Sequence, residues 1–244
     1  MRTLTAADIT RVVEWGADKH ALDRAVTLLR IALPEARRDE LEQLPIGVRD
    51  RLLLEIRRTL FGSRLDLTVR CRPCRQTLEF AISVEQLLEL PAPAAFDHSL
   101  HVEDYEVSFR LPNTRDLAAA VGAQSIEHAR ATLLRACTRS ASRGGAPIDL
   151  ERLPAEVIDA VAERIGELDP QADISFKLQC DRCHRELEAS LDALHCLWTE
   201  LRGYAERIQH EIHLLARAYG WSERTILEMT AARRHRYCQM VTDG

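Results

Sequence analysis

The chain has 244 residues, 46% of them hydrophobic and 29% charged, enough to bury a sizeable core in one large or two small domains. Its 33 basic and 38 acidic residues leave a formal charge of -5, which excludes a global basic footprint for nucleic acid. No stretch reaches the roughly 18 consecutive apolar residues of a membrane span, and Met1 to Thr10 lacks the apolar centre of a secretion signal, so a cytoplasmic location is expected.

The first sixty residues read as three helices: Ala6 to Trp15, Ala21 to Leu33 and Pro45 to Leu60. The last carries Val48, Leu52, Leu53, Ile56 and Leu60 at helical spacing, and Pro34 and Phe61-Gly62-Ser63 punctuate the run. Strand periodicity then takes over. Leu65, Leu67 and Val69 alternate with polar residues before Cys71-Arg72-Pro73-Cys74, and Leu78, Phe80 and Ile82 alternate after it. This pattern predicts a hairpin whose turn offers two thiols. A short helix from Val84 to Leu88 follows, then a Pro/Ala linker at 91–95. Alternation resumes from Leu100 to Leu111, with Val107 and Phe109 on one face and a turn near Glu103-Asp104. Asn113 or Thr114 caps the next helix, and Asp116 in its first turn favours the helix dipole. Helices are predicted over Ile126 to Thr138 and Pro154 to Leu168, separated by a Gly/Ser/Arg loop from Ser140 to Pro147. Asp169-Pro170 ends the second of them.

The thiol-bearing pattern then returns. Ile174, Phe176 and Leu178 lead into Cys180-Asp181-Arg182-Cys183, and Leu187, Ala189 and Leu191 lead out. Sliding the chain by 109 residues places Cys71 on Cys180, Cys74 on Cys183 and Leu78 on Leu187. Zn²⁺ takes four soft ligands in a tetrahedron, and a Cys-x-x-Cys turn supplies two from one bend. Cys71, Cys74, Cys180 and Cys183 therefore read as one closed, structural zinc site. Three other readings compete. A redox pair of the thioredoxin type places its first cysteine at a helix N-terminus, whereas the exit here is a strand. Disulfides need an oxidising compartment, for which nothing in the chain argues. Unligated thiols left by a decayed metal site would keep the same spacing. His184, beside Cys183, could replace a thiol in principle, but a histidine on a hairpin turn is more often solvated. Cys137, Cys196 and Cys238 lie in helical stretches and read as small core residues.

From Leu191 onward, Leu194, Leu197/Trp198, Leu201, Ala205, Ile208, Ile212, Leu215 and Tyr219 recur every three or four residues, predicting one helix, roughly 40 Å long, that stops at Gly220. This seam either packs on the N-terminal helices or offers itself to a partner, and intramolecular packing is the commoner outcome. Ser222 caps a short helix bearing Ile226, Leu227 and Met229, and Thr230 caps a final one bearing Arg233, Arg234, Arg236 and Tyr237. The fold class is then α+β and mainly helical. It comprises two β-hairpin zinc knuckles clamped together, a further β-hairpin, and a long C-terminal helix followed by two short ones. Along the chain the parts are 1–90 (N-terminal helices and first knuckle), 91–168 (hairpin and helical middle) and 169–244 (second knuckle, long helix and helix pair), expected as one compact unit.

The stretch Glu211-Ile-His-Leu-Leu-Ala-Arg-Ala-Tyr-Gly-Trp-Ser-Glu-Arg-Thr-Ile-Leu-Glu-Met, followed by Arg233-Arg234-x-x-Tyr237, carries a family pattern. So do Arg49-Asp50-Arg-Leu-Leu-Leu before Phe61-Gly62, Phe109-Arg-Leu-Pro-Asn-Thr-Arg-Asp116, Asp169-Pro-Gln-Ala and the paired Cys-x-x-Cys units. With these stretches the chain resembles the T4-type baseplate hub assembly chaperone family of contractile phage tails and extracellular contractile injection systems. The resemblance spans most of the chain, and Tyr219-Gly220-Trp221-Ser222-Glu223 is its most specific part. It implies a non-enzymatic role as an assembly factor or structural component of the baseplate or its hub, with baseplate or hub structural proteins as partners. It also implies that the knuckle cysteines form a structural metal site and that the Tyr219-to-Tyr237 segment is an interaction surface. Aromatic and arginine residues suit binding hot spots, which makes Tyr219, Trp221, Arg233, Arg234 and Tyr237 the candidate partner-binding residues. The competing reading anchors Tyr219 and Trp221 in the core and leaves the arginines solvated. Cys238 departs from the aliphatic residue that the resemblance leads one to expect.

A zinc-containing helix-turn-helix regulator of nucleic acid is the alternative, because a short helix, a turn at Glu228 to Thr230 and an arginine-bearing helix share that layout. The net acidic chain argues against it, and so does the absence of a basic stripe elsewhere. An enzyme is not expected: there is no Gly-rich phosphate loop, no His-Glu-x-x-His and no nucleophile elbow. His210 and His213 share a helix face, but without a third ligand they read as solvated.

Overall fold

The computed structural model describes residues 1–93 and 97–243; positions 94 and 95 of the expected linker lie outside the described residues. In chain order the helices and strands begin with α1 (Ala6–Gly16), α2 (Ala21–Ala32), α3 (Arg38–Glu42) and α4 (Ile46–Phe61). There follow β1 (Arg64–Arg70), β2 (Thr77–Ser83), α5 (Val84–Leu88), β3 (Asp97–Val102), β4 (Tyr105–Arg110), α6 (Thr114–Ala120) and α7 (Ile126–Cys137). Next come β5 (Thr138–Arg143), β6 (Ala146–Ile148), α8 (Ala155–Leu168), β7 (Ile174–Gln179) and β8 (Glu186–Leu191). The long α9 (Ala193–Tyr219), α10 (Glu223–Leu227) and α11 (Ala231–Thr242) close the chain. The architecture is α+β and mainly helical, as expected, and no helix among the described residues is long and apolar enough to cross a membrane.

Two compact units result, one from residues 1–34 with 194–244 and the other from residues 35–193. In the first, Thr5 and Asp8 cap α1 reciprocally, which satisfies backbone donors that the first turn leaves without intrahelical acceptors. The N–H of Arg2 donates to the carbonyl of Ala32 at 2.8 Å and ties the N-terminus to the end of α2. The apolar seam of α9 is buried at Leu197, Trp198, Leu201, Ala205, Ile208 and Leu215. Trp198 lies against Gly16, where any β-carbon would overlap its indole, and the Arg24 guanidinium sits 4.7 Å from the ring centroid. The seam therefore packs within the chain. Gly220, at φ +68, stops α9 in a conformation that glycine adopts without strain.

In the second unit β1 pairs with β2 and β7 with β8, each as an isolated antiparallel hairpin. The 109-residue repeat runs well beyond the cysteines. Val69 faces Leu78 as Leu178 faces Leu187, and the helix after each hairpin starts at Val84 and at Ala193. Even the helix before each hairpin starts in step, α4 behind Pro45 and α8 behind Pro154. Helix–hairpin–helix is the repeated module, although the two copies match in sequence only at the knuckle.

The expected further hairpin, β3 with β4, widens into a four-stranded antiparallel sheet in the order β3-β4-β5-β6. Residues 140–147, read as a loop, are largely these two extra strands. Thr138–Arg143 is made of small and polar residues with little strand propensity of its own, and pairing with the edge of β4 makes it a strand. Gly144 and Gly145, at φ +54 and +83, form the two-residue turn to β6. Val107, Phe109 and Ala141 from the sheet pack against Val157 and Val161 of α8. Helix α3 also went unread, because five residues are too short to show a period. In α4 the buried stripe lies over Leu53, Leu54 and Ile56, with Leu52 and Leu60 only half-buried.

Candidate metal centre

Each Cys-x-x-Cys sits at the tip of its hairpin, and the two tips have matching backbones. The N–H of Cys71 donates to Gln76 O at 2.8 Å and that of Cys180 to Arg185 O at 2.9 Å; Arg75 N–H returns to Cys71 O, and His184 N–H to Cys180 O, both at 2.8 Å. Closing so tight a bend requires a left-handed residue after the second cysteine. Arg75 (φ 59) and His184 (φ 56) supply it, 109 positions apart. That role accounts for His184, whose ring lies outside the group of side chains able to hold a metal.

The hairpins pack tip to tip. Cys71, Leu78 and Cys180 are buried, with Val69, Cys74, Cys183 and Leu187 packed around them, and Phe80 meets Phe176 edge-on with centroids 5.8 Å apart. This apolar contact gathers four thiols from sites more than a hundred residues apart. Their sulfurs all lie within 4.8 Å of one another, with Cys74 and Cys180 at 3.5 Å and Cys71 and Cys183 at 3.6 Å. A tetrahedron of sulfurs about 2.3 Å from a Zn²⁺ ion has edges of roughly 3.8 Å, so this donor set fits a soft divalent cation. The four cysteines could hold a metal ion, and they form a closed set.

Electrostatics points the same way. The Cys180 thiol is drawn down to about 6, first by the N–H of Cys183 and further, against the cost of burial, by the N–H of Arg182 and the thiols of Cys74 and Cys183. The Cys71 thiol is pushed up to about 12, because burial and its bonds to the other three thiols outweigh the N–H of Cys74 that favours its thiolate. Burial and the neighbouring thiols thus oppose ionisation at Cys71, a cost that a bound divalent cation would offset.

The remaining motif stretches converge on the start of α4. Pro45 offers that helix no side-chain cap, so its first donors are satisfied from afar: Ile46 N–H by Pro112 O at 3.1 Å and Gly47 N–H by Asp169 Oδ2 at 2.9 Å. Gln171 then donates through Nε2 to Leu87 O (3.1 Å) and Leu90 O (3.0 Å), capping the end of α5. Asp169-Pro-Gln-Ala is thus a double-ended cap. Arg110 holds Asp116 with two bonds of 2.5 and 2.8 Å while Asn113 and Asp116 cap α6 reciprocally. Buried Arg49 bonds Asp50 at 2.7 Å and reaches Thr114 at 3.4 Å. Burial pushes the carboxyls of Asp50 and Asp169 up, against the pull of Arg49 and, for Asp169, of Gly47 N–H. The sequence places Asn113 and Asp116 at one helix start and Asp169-Pro170 at another helix end, but not the contacts of Gly47, Arg49 and Gln171, whose partners Asp169, Thr114 and Leu87 lie 65 or more residues away.

At the other end of the chain Tyr219, Trp221 and Tyr237 form one aromatic cluster. Tyr219 stacks on Trp221 at 4.5 Å, and Tyr237 meets both edge-on at 5.8 and 4.9 Å. Tyr219 and Arg233 are exposed, Trp221 and Tyr237 are half-buried, and Arg233 lies 5.7 Å from the Tyr237 ring centroid. Arg234 is different. It is 2% exposed and spends its guanidinium on Glu211 and on Met229 O, both at 2.7 Å, which pins α11 to α9.

The fold and the site together define an α+β protein of paired knuckles, in which a duplicated helix–hairpin–helix module brings four thiols to one potential metal centre. A model of the family described as T4 bacteriophage base plate protein matches residues 17–196, and the chain belongs to that family. Comparison with curated proteins and with solved structures gave no match. Both knuckles lie inside the matched range, whereas the segment from Tyr219 to Tyr237 lies beyond it.

Proposed function

We propose that this protein is a non-enzymatic assembly factor of the baseplate hub, working in the bacterial cytoplasm on baseplate or hub structural proteins of a contractile tail or injection system. Membership of the baseplate family over residues 17–196 is the observation that carries this reading. Cys71, Cys74, Cys180 and Cys183 hold a structural Zn²⁺, whose contribution is folding free energy: a closed four-thiolate set leaves no position for water or substrate. The client-binding surface is the cluster of Tyr219, Trp221, Arg233 and Tyr237. Its mix of exposed aromatic area and a cation suits a transient but specific contact, and buried Arg234 sets its geometry from beneath. The α10–turn–α11 layout favours a nucleic-acid-binding alternative, but Arg234 on its second helix is already committed to Glu211.

Co-expression with the neighbouring baseplate structural proteins tests the proposal. A baseplate or hub subunit should co-purify with this chain, less of it should be retained by Trp221→Ala, and particles should fail to assemble without the protein. Normal particles in its absence would overturn the assembly role, and salt-sensitive retention on heparin would favour nucleic acid instead.

A further inference from the structure

The stretch from Phe109 to Asp116 does more than cap helices. Most of its side chains line one pocket of about 380 Å³ within the second unit, and Asp97 and Arg139 reach the same pocket from β3 and β5. Three guanidiniums (Arg110, Arg115, Arg139) and two carboxylates (Asp97, Asp116) line it, a surplus of one positive charge on a chain of net charge -5. Arg110 is committed: two bonds hold it to Asp116, and the same two nitrogens donate to Leu111 O and Ala136 O. Arg115 is not. Only its Nε donates, to Glu42 at 3.0 Å, which Arg38 holds as well at 2.6 Å, so among the described residues neither Nη of Arg115 has an acceptor. Arg139 meets Asp97 at 2.7 Å in an exposed pair, the kind that exchanges partners at little cost. Asn113 gives an independent sign of a ligand. It is 8% exposed, and its Oδ1 accepts from the N–H groups of Arg115 (2.9 Å) and Asp116 (3.2 Å), which fixes the orientation of the amide. Among the described residues no acceptor meets its Nδ2, the donor left for the pocket that Asn113 lines. A donor so nearly buried costs free energy until an acceptor reaches it. The N–H groups that open α6 are already taken by this cap, so the donors on offer belong to side chains.

We infer that this pocket docks the carboxylate of a glutamate side chain presented by a protein partner. A planar carboxylate matches the parallel donors of an arginine fork, with Arg115 and Asn113 Nδ2 as its hosts and Arg139 turning to it from Asp97. One surplus positive charge suits a monoanion; a phosphate, at about -1.5 to -2, overfills it. Buried Pro45 and Leu111 form the apolar part of the wall, against which the methylenes of glutamate lie. A protein as the source rests on the assembly role proposed above, whereas the carboxylate itself rests on the pocket's donors.

The full chain, labelled with ¹⁵N, is titrated with the capped peptide acetyl-Ala-Ala-Glu-Ala-Ala-amide, with its glutamine and phosphoserine counterparts, and with free glutarate. The backbone N–H of residue 115, which rests on Asn113 Oδ1, reports occupancy. The glutamate peptide should shift that signal to saturation, and the glutamine peptide should not. Arg115→Gln and Asn113→Asp should each weaken the binding about tenfold or more, and Arg11→Gln, at an exposed position on α1, should leave it unchanged. Arg115 is half-exposed and aspartate caps a helix as well as asparagine does, so both variants should keep the parent's melting temperature. If one unfolds, the other decides. Equal response to the glutamine peptide, unchanged affinity in the folded variants, tighter binding of the phosphoserine peptide or no shift at all overturns the pocket. Glutarate binding as tightly as the peptide would overturn the protein source. No baseplate protein is present in this titration, so its failure leaves the assembly role standing.

Discussion

Replacing Gly47 by alanine sets two effects of opposite sign against each other. Helix propensity alone makes Gly47→Ala, in the first turn of α4, stabilising by about 0.5–1 kcal/mol. Packing says otherwise. A β-carbon on Gly47 would overlap Oδ1 of Asp169, a residue 2% exposed and so unable to swing away. The carboxylate lies across the N–H and Cα–H edge of Gly47, accepting the N–H at 2.9 Å with Oδ2, and Oδ1 makes no other hydrogen bond. Displacing it forfeits a charge-assisted bond of about 1.5–3 kcal/mol and strands a buried acceptor at a further cost of about 1–3 kcal/mol. Allowing for the propensity gain, the net loss is about 1.5–5.5 kcal/mol, which lowers the melting temperature by roughly 3–20 °C for a chain of this size. Thermal melts of Gly47→Ala, Asp169→Ala and the double variant measure it. In the Asp169→Ala background the glycine substitution should become neutral or stabilising, because the overlapping oxygen has gone. A single variant as stable as the parent, or additive effects in the double, would refute the capping role of Asp169.

Three other substitutions or treatments test the structure elsewhere. Elemental analysis should find one zinc per chain, absent in Cys180→Ser, and chelation should strip hydrogen-exchange protection from both hairpins; unchanged protection would mean that the thiols are not metallated. Arg75→Gly and His184→Gly each relieve a left-handed backbone at φ 59 and 56, less glycine's extra unfolded-state freedom, for a gain of up to about 1 kcal/mol. The two gains should match because the turns do, and a loss of stability at either position counts against the turn geometry. The bond from Arg2, with help from the N–H and hydroxyl of Thr5, holds the Asp8 carboxyl down to about 2 from its ordinary 3.8. A folded-state pKa below the unfolded one stabilises fully above about pH 4 and fades as pH falls towards 2, here by no more than about 1 kcal/mol after solvent screening. Urea titrations should show that decline in the parent and lose it in Asp8→Asn.

Much of the fold was legible because its signals act within a few residues. Alternating Leu65, Leu67 and Val69, the caps at Asn113, Ser222 and Thr230, and the stop at Gly220 each specify backbone geometry through their immediate neighbours, and all appear where the pattern puts them. The four candidate ligands were legible for the same reason, since a bend that presents two thiols is encoded in four residues. What the chain could not announce locally is which distant groups meet. Thr138–Arg143 is a strand only beside β4, α4 is capped by Pro112 O and by a carboxylate 122 residues away, and Arg234 is buried against Glu211 and Met229 O. By itself the sequence determined the two knuckle hairpins, the longer helices and the pairs of thiols. The tertiary structure decided that both chain ends share one unit and that the two hairpin tips close on each other, because such contacts come from burying apolar faces together and no local propensity encodes them.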